Sequence, residues 1–136
     1  MAGRRARTTA VRRTAAGLAA GALALLAGCG TTLTPEEMTR ACTGFAAEVS
    51  KAGLAGTPTQ AQAKAVADAL DGILPGLRDP RVHDAGVALH THLHGVDTAL
   101  AKGDTARAAD LAAKARADVT KAARACGLPQ SAFLEG

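Results

Sequence analysis

Residues 104–129 read DTARAADLAAKARADVTKAARACGLP, and this stretch decides the fold class of the chain. Asp104 is a favourable N-cap residue, and apolar residues then recur at intervals of three and four as far as Cys126. Gly127, with a proline two residues later, has the pattern of a helix C-cap and stop. The stretch therefore predicts an amphipathic helix over residues 104–126, whose apolar stripe is Ala108, Leu111, Ala115, Val119, Ala122 and Cys126.

Three earlier helices are predicted from a recurring start signal, in which a capping residue precedes proline. These starts are Thr34-Pro35, Thr57-Pro58 and Asp79-Pro80, and Glu37 and Gln60 complete the first two as capping boxes. Glycine or Pro-Gly ends each helix, so the four predicted helices cover residues 35–52, 58–74, 80–102 and 104–126. The expected fold is all-α, a small up-down four-helix bundle.

The N-terminal residues have the order of an export signal, because a basic segment precedes an apolar run. The apolar run covers residues 15–27, and these thirteen residues are fewer than the roughly 20 that a transmembrane helix needs. We therefore predict a removable signal. Arg12-Arg13 leaves the twin-arginine export route open beside the general one.

The apolar run ends in Leu26-Ala27-Gly28-Cys29, which resembles the lipobox of bacterial lipoproteins. The resemblance implies that Leu26, Ala27 and Gly28 are recognised by a signal peptidase that cleaves before Cys29. It also implies a diacylglyceryl group on the Cys29 thiol, so the expected partners are the membrane and the lipoprotein-processing enzymes. The expected location is the extracytoplasmic face of the cell membrane. The alternative is an ordinary secretory signal that carries a cysteine.

This interpretation divides the chain into a signal peptide (1–28), a lipidated cysteine with a short tether (29–34), a helical bundle (35–127) and a C-terminal tail (128–136). The alanine-rich domain with its late Ala-Cys-Gly-Leu-Pro is similar to the small lipoproteins of actinobacteria. That similarity implies a location and no particular activity.

Removal of the signal changes the net charge. Five of the sixteen basic residues precede Cys29 and all twelve acidic residues follow it, which leaves eleven basic residues and a net charge near −1. A nucleic-acid-binding protein needs a basic surface that neutralises phosphates. The charge of residues 29–136 therefore argues against a nucleic-acid partner.

Two cysteines remain after Cys29, and both lie on core faces. Cys42 belongs to the first helix, on a stripe with Met38, Phe45 and Val49, and Cys126 ends the fourth helix. The first and last helices of an up-down bundle are antiparallel neighbours, and an exported even pair of cysteines is most simply a disulfide. Two independent buried thiols are the alternative.

Residue composition favours a non-enzymatic role. The chain has two phenylalanines and no tyrosine or tryptophan, so a stacking platform for sugars or aromatic ligands is not expected. Ser50 and Ser131 are not in a nucleophile-elbow pattern. The carboxylates are expected on solvated helix faces, and alanine-rich helix interfaces are expected to leave little room for a pocket.

The third helix carries four histidines, His83, His90, His92 and His94. His90 and His94 have the i, i+4 spacing that lets two imidazoles bind one Zn, Cu(II) or Ni(II) ion, and Asp97 lies on the same face. His92 is expected beyond the other edge of the apolar stripe. The alternative is a solvated, polar helix face that binds no metal or other cofactor.

Two functions follow from these patterns. The first is a lipid-anchored envelope protein that acts as a non-enzymatic binding or structural module with an unidentified envelope partner. The second is a metal-binding or metal-sensing lipoprotein that uses the third helix.

Overall fold

The structure, a computed structural model, describes residues 33–136. Within this range every regular element is helical: α1 is Pro35–Ser50, α2 is Gln60–Ile73, α3 is Pro80–Ala101, α4 is Thr105–Cys126 and α5 is Ser131–Leu134, with a 3₁₀ turn at Leu74–Gly76. The prediction of an all-α bundle is confirmed, and α1 to α4 are its four predicted helices. The signal peptide and lipobox, residues 1–29, lie outside the described residues.

The helix starts are fixed by side-chain caps. At α1 the Glu37 N–H donates to Thr34 Oγ1 at 3.2 Å, and the Thr34 N–H donates to Glu37 Oε2 at 2.9 Å. This hydrogen bond from the Thr34 backbone lowers the pKa of Glu37. Asp79 and Asp104 cap α3 and α4 through their carboxylates, as predicted.

The start of α2 differs from the prediction by two residues. The N-cap is Thr59 and not Thr57, and Gln62 completes its capping box. Two such boxes overlap in this segment, and the later one leaves Pro58 buried in the preceding loop. That loop is also held by Arg116 of α4, whose Nη1 donates to the Gly56 carbonyl oxygen at 2.9 Å.

The end of α4 has the predicted glycine cap. Gly127 has a φ of 64°, a left-handed conformation that costs a residue with a Cβ roughly 1–2 kcal/mol. The Leu128 N–H then donates back to the Ala123 carbonyl oxygen at 3.0 Å. This turn sends the chain away from the axis of α4 and back towards α1.

The core is a single cluster contributed by all five helices and the loops between them. Helix α3 lies between α2 and α4 and makes its most extensive contacts with α4. Contact between α1 and α4 is more limited, and α1 packs more extensively on α5. The fully buried larger side chains are Phe45, Val49, Leu54, Val66, Leu70, Val82, Leu89, Leu93, Val96, Val119 and Phe133.

The predicted disulfide is present between Cys42 and Cys126. Their Cα atoms lie 5.7 Å apart, and the bond joins residues 84 apart in sequence. Closing a loop of this length restricts the unfolded chain by roughly 4–5 kcal/mol on the loop-entropy model. The bond therefore compensates for the limited direct packing of α1 against α4.

Residues 128–136, predicted to form a C-terminal tail, belong to the folded domain. Phe133 of α5 has no exposed surface, and its ring meets that of Phe45 edge-on with centroids 5.5 Å apart. The prediction missed this packing because α5 has only four residues, too few to show an apolar period. The tail assignment is corrected to a fifth, closing helix.

None of the helices within residues 33–136 is long and apolar enough to cross a membrane.

We expect Phe133→Ala to lower the free energy of unfolding by about 3–5 kcal/mol, since it empties a fully buried site and removes the partner of Phe45. Urea denaturation of the unreduced protein measures this change. Glu135→Ala, at an exposed position of the same segment, is the control and should change the value by less than about 0.5 kcal/mol. Equal stability of the two variants would contradict the role assigned to α5.

Candidate binding groove between α3 and α4

Asp118 of α4 is the one polar or charged residue in the described core, with 4% of its surface exposed. It follows Ala115 by three residues and precedes Ala122 by four, so it shares the face of two buried alanines. The expectation that the carboxylates lie on solvated faces is wrong for this residue. The helical spacing of Asp118 from Ala115 and Ala122 is the sequence signal that could have predicted its burial.

His92 of α3 is the hydrogen-bonding partner of Asp118, and His92 Nδ1 lies 2.5 Å from Asp118 Oδ2. His92, which was expected beyond the other edge of the apolar stripe, faces α4. An ionised carboxylate only accepts hydrogen bonds, so with Asp118 ionised the proton of this contact belongs to His92 Nδ1. The pair is a polar link between the two most extensively packed helices.

A groove with a volume of about 370 Å³ lies between the first half of α3 and the second half of α4. Asp118 contributes to its lining, and alanines provide its apolar walls. The expectation that alanine-rich interfaces leave little room is therefore wrong here, since single methyl groups face each other where larger side chains would fill the space. The groove is lined by Arg81, Asp84, Ala85, Ala88, Asp118, Lys121, Arg124 and Ala125.

The charged residues of the groove are mostly basic. Arg81, Lys121 and Arg124 are exposed at its surface. Arg81 has a carboxylate partner, Asp79, at 3.5 Å. Among residues 33–136, no carboxylate oxygen lies within 4.0 Å of the Lys121 or Arg124 side-chain nitrogens. These two cations are therefore available to a bound anion.

The predicted metal residues are only partly brought together. The rings of His90 and His94 meet edge-on, with centroids 6.2 Å apart and an interplanar angle of 71°. His90 Nε2, however, lies 3.0 Å from Asp71 Oδ1 of α2. Within the described part of the chain, no three histidine, cysteine, aspartate or glutamate side chains gather as a metal-binding group, so Asp97 does not complete one.

His83, the remaining histidine, pairs loosely with its neighbour Asp84 at 3.8 Å. Metal binding stays a prediction, and the adjacent rings of His90 and His94 are its remaining structural basis.

Comparison with known proteins found no matching family model, no matching curated protein and no matching solved structure. The groove and the His92–Asp118 pair are the features of the described residues that bear on function. What this arrangement offers chemically is a hydrogen-bonding carboxylate inside, apolar walls, and cations at the surface.

The His92–Asp118 pair is testable by a double-mutant cycle. We expect His92→Ala to lower the free energy of unfolding by about 1–2 kcal/mol, because it leaves a buried carboxylate without its partner while the groove still admits water. In the Asp118→Ala background the same change should cost markedly less. Urea denaturation of the unsubstituted protein, the two single variants and the double variant gives the coupling free energy between His92 and Asp118.

His94→Ala is the matched control, since His94 is an exposed histidine of the same helix and its replacement should change stability by less than about 0.5 kcal/mol. Strictly additive effects of the His92 and Asp118 substitutions would contradict the pairing.

Proposed function

We propose that this protein is exported, anchored by lipid on Cys29 at the extracytoplasmic face of the cell membrane, and serves there as a non-enzymatic binding module. The observation that carries the proposal is the Cys42–Cys126 disulfide. Disulfides persist in oxidising compartments outside the cytoplasm and are rare inside it. The bond therefore supports the export that the N-terminal sequence predicts.

Cysteine use is consistent with this proposal. The chain has three cysteines, and two of them are joined to each other. The third, Cys29, is the cysteine at which the lipobox resemblance places the lipid. Export with a lipid on Cys29 thus gives each of the three cysteine sulfur atoms a covalent partner.

The short stretch of chain between Cys29 and the start of α1 supports a location of the domain close to the membrane. Its cap is Thr34, and six residues of even fully extended chain from Cys29 span at most about 20 Å. Because Cys126 is bonded to Cys42, the end of α4 lies beside the first half of α1. The groove, lined by the second half of α4, therefore lies towards the end of α4 that the disulfide joins to α1.

A binding role is supported by the composition of the groove. No serine, threonine or cysteine is among its lining residues, so the groove has no hydroxyl or thiol nucleophile and offers charge and hydrogen bonds. The net charge near −1 of residues 29–136 disfavours nucleic acid as the ligand.

The anchor is tested by Cys29→Ala in cells labelled with radioactive palmitate. We expect the variant to incorporate no label and to keep its signal peptide, because the thiol that accepts the diacylglyceryl group is absent. The double variant Cys42→Ala/Cys126→Ala is the control: it removes the other two cysteines and should still be labelled. Label retained by Cys29→Ala would show that Cys29 is not the lipidated residue.

Export is tested by the state of the other two thiols. The processed protein from cells, denatured without reductant, should expose no free thiol at Cys42 or Cys126 to an alkylating reagent, and should expose both after reduction. Mass spectrometry counts the alkylated residues. Free thiols before reduction would remove the observation on which the proposed location depends.

A further inference from the structure

We infer that the groove between α3 and α4 is the binding site of a small organic anion with a single apolar chain, such as a medium-chain carboxylate or phosphate monoester. The inference deepens the binding role proposed above and rests on it. It names the ligand class and the orientation in which the ligand is bound.

The size of the groove favours a small molecule over a protein. Its volume of about 370 Å³ falls in the range of roughly 300–1,000 Å³ that small-molecule sites occupy. A stable protein–protein contact buries roughly 800 Å² on each partner, far more than a groove lined by eight residues offers. Three of these eight, Ala85, Ala88 and Ala125, present methyl groups, which suit an apolar chain.

The charges of the groove favour an anion. Arg81, Lys121 and Arg124 bring three positive charges to its surface, and no carboxylate of the described residues neutralises the last two. Two carboxylates, the exposed Asp84 and the buried Asp118, also line the groove, so its cations outnumber its carboxylates by one. Arginine and lysine are the usual partners of carboxylate and phosphate groups.

The buried carboxylate fixes the orientation of the ligand. Arg124 lies six residues after Asp118 on α4, about 9 Å along the helix axis. Arg81 lies in the first turn of α3, towards the same end of the groove as Arg124. The anionic head therefore belongs at the Arg81 and Arg124 end, and the uncharged end of the chain points towards Asp118, where a second negative charge would be repelled.

The ligand class is tested by calorimetric titration of the chain from residue 30 onward, which retains all of the compact unit Thr32–Gly136. Octyl phosphate should bind at least about tenfold more tightly than octylammonium, which has the same chain and the opposite charge. Octanoate should likewise bind more tightly than octanedioate, whose second carboxylate would face Asp118. Equal affinities within either pair would overturn the inference.

The site is tested with variants that keep the core intact. Lys121→Ala/Arg124→Ala should weaken octyl phosphate binding by about tenfold or more, since it removes the two unpaired cations. Lys114→Ala is the matched control, because Lys114 lies on the same helix outside the groove and pairs with Asp110 at 3.0 Å. Unchanged binding by the double variant, or equal losses in the control, would overturn the assignment.

Two further measurements test whether the ligand occupies the groove and whether it is a membrane lipid or a free amphiphile. Ala88→Leu should block the groove and abolish binding, whereas Ala101→Leu, at an exposed position of α3, should not. Vesicles containing phosphatidylglycerol distinguish a membrane lipid from a free amphiphile, and binding to vesicles without binding to octyl phosphate would overturn the proposed ligand. The titrations use the chain without its lipid. Absence of ligand binding would therefore not contradict lipidation of Cys29, and absence of lipid labelling would not contradict ligand binding by the groove.

Discussion

The bond between Cys42 and Cys126 joins the two long helices that are furthest apart along the chain. Helices α2, α3 and α4 pack in sequence order, each against the next, but α1 has limited contact with α4 and depends on other interactions for its position. The disulfide provides one of these, and the edge-on contact of Phe45 with Phe133 provides another. Both act on the same helix, which explains how a domain with only two aromatic residues closes around a single core.

The same shortage of large side chains creates the groove. Leu89 and Leu93 fill the core on the inner side of α3, whereas Ala85 and Ala88 border the groove and do not fill the space towards α4. Asp118 is tolerated at the inner end of this space because His92 supplies a hydrogen bond that the apolar neighbours do not. A position that would be costly for an unpaired carboxylate therefore becomes part of the lining of the groove.

The predictable part of the fold is the part encoded by local chemistry. Thr34, Asp79 and Asp104 cap helices through hydrogen bonds to residues two or three positions away, and Gly127 ends α4 through its own φ angle. Their roles can therefore be predicted without knowledge of the tertiary structure. The disulfide was predictable because helical spacing placed both cysteines on core faces.

The features that sequence reasoning missed depend on contacts between distant residues. The burial of Phe133 requires the turn after Gly127 to return the chain to α1, and the pairing of His92 with Asp118 joins residues 26 apart. The groove was not predicted for a related reason. The alanines in the helix pattern do not determine whether α3 and α4 approach each other closely. Only the groove observed between α3 and α4 shows that space remains at this end.

The position of the disulfide has a consequence for resistance to proteolysis. Every connection between α1 and α4, from the loop held by Arg116 to the turn after Ala101, lies between Cys42 and Cys126. A protease that cuts the backbone once in any of these connections produces two fragments that remain covalently joined. The fragment that carries α4 and α5 is then still bonded through Cys126 to the fragment that carries Cys42, so a nicked molecule keeps all of its helices together.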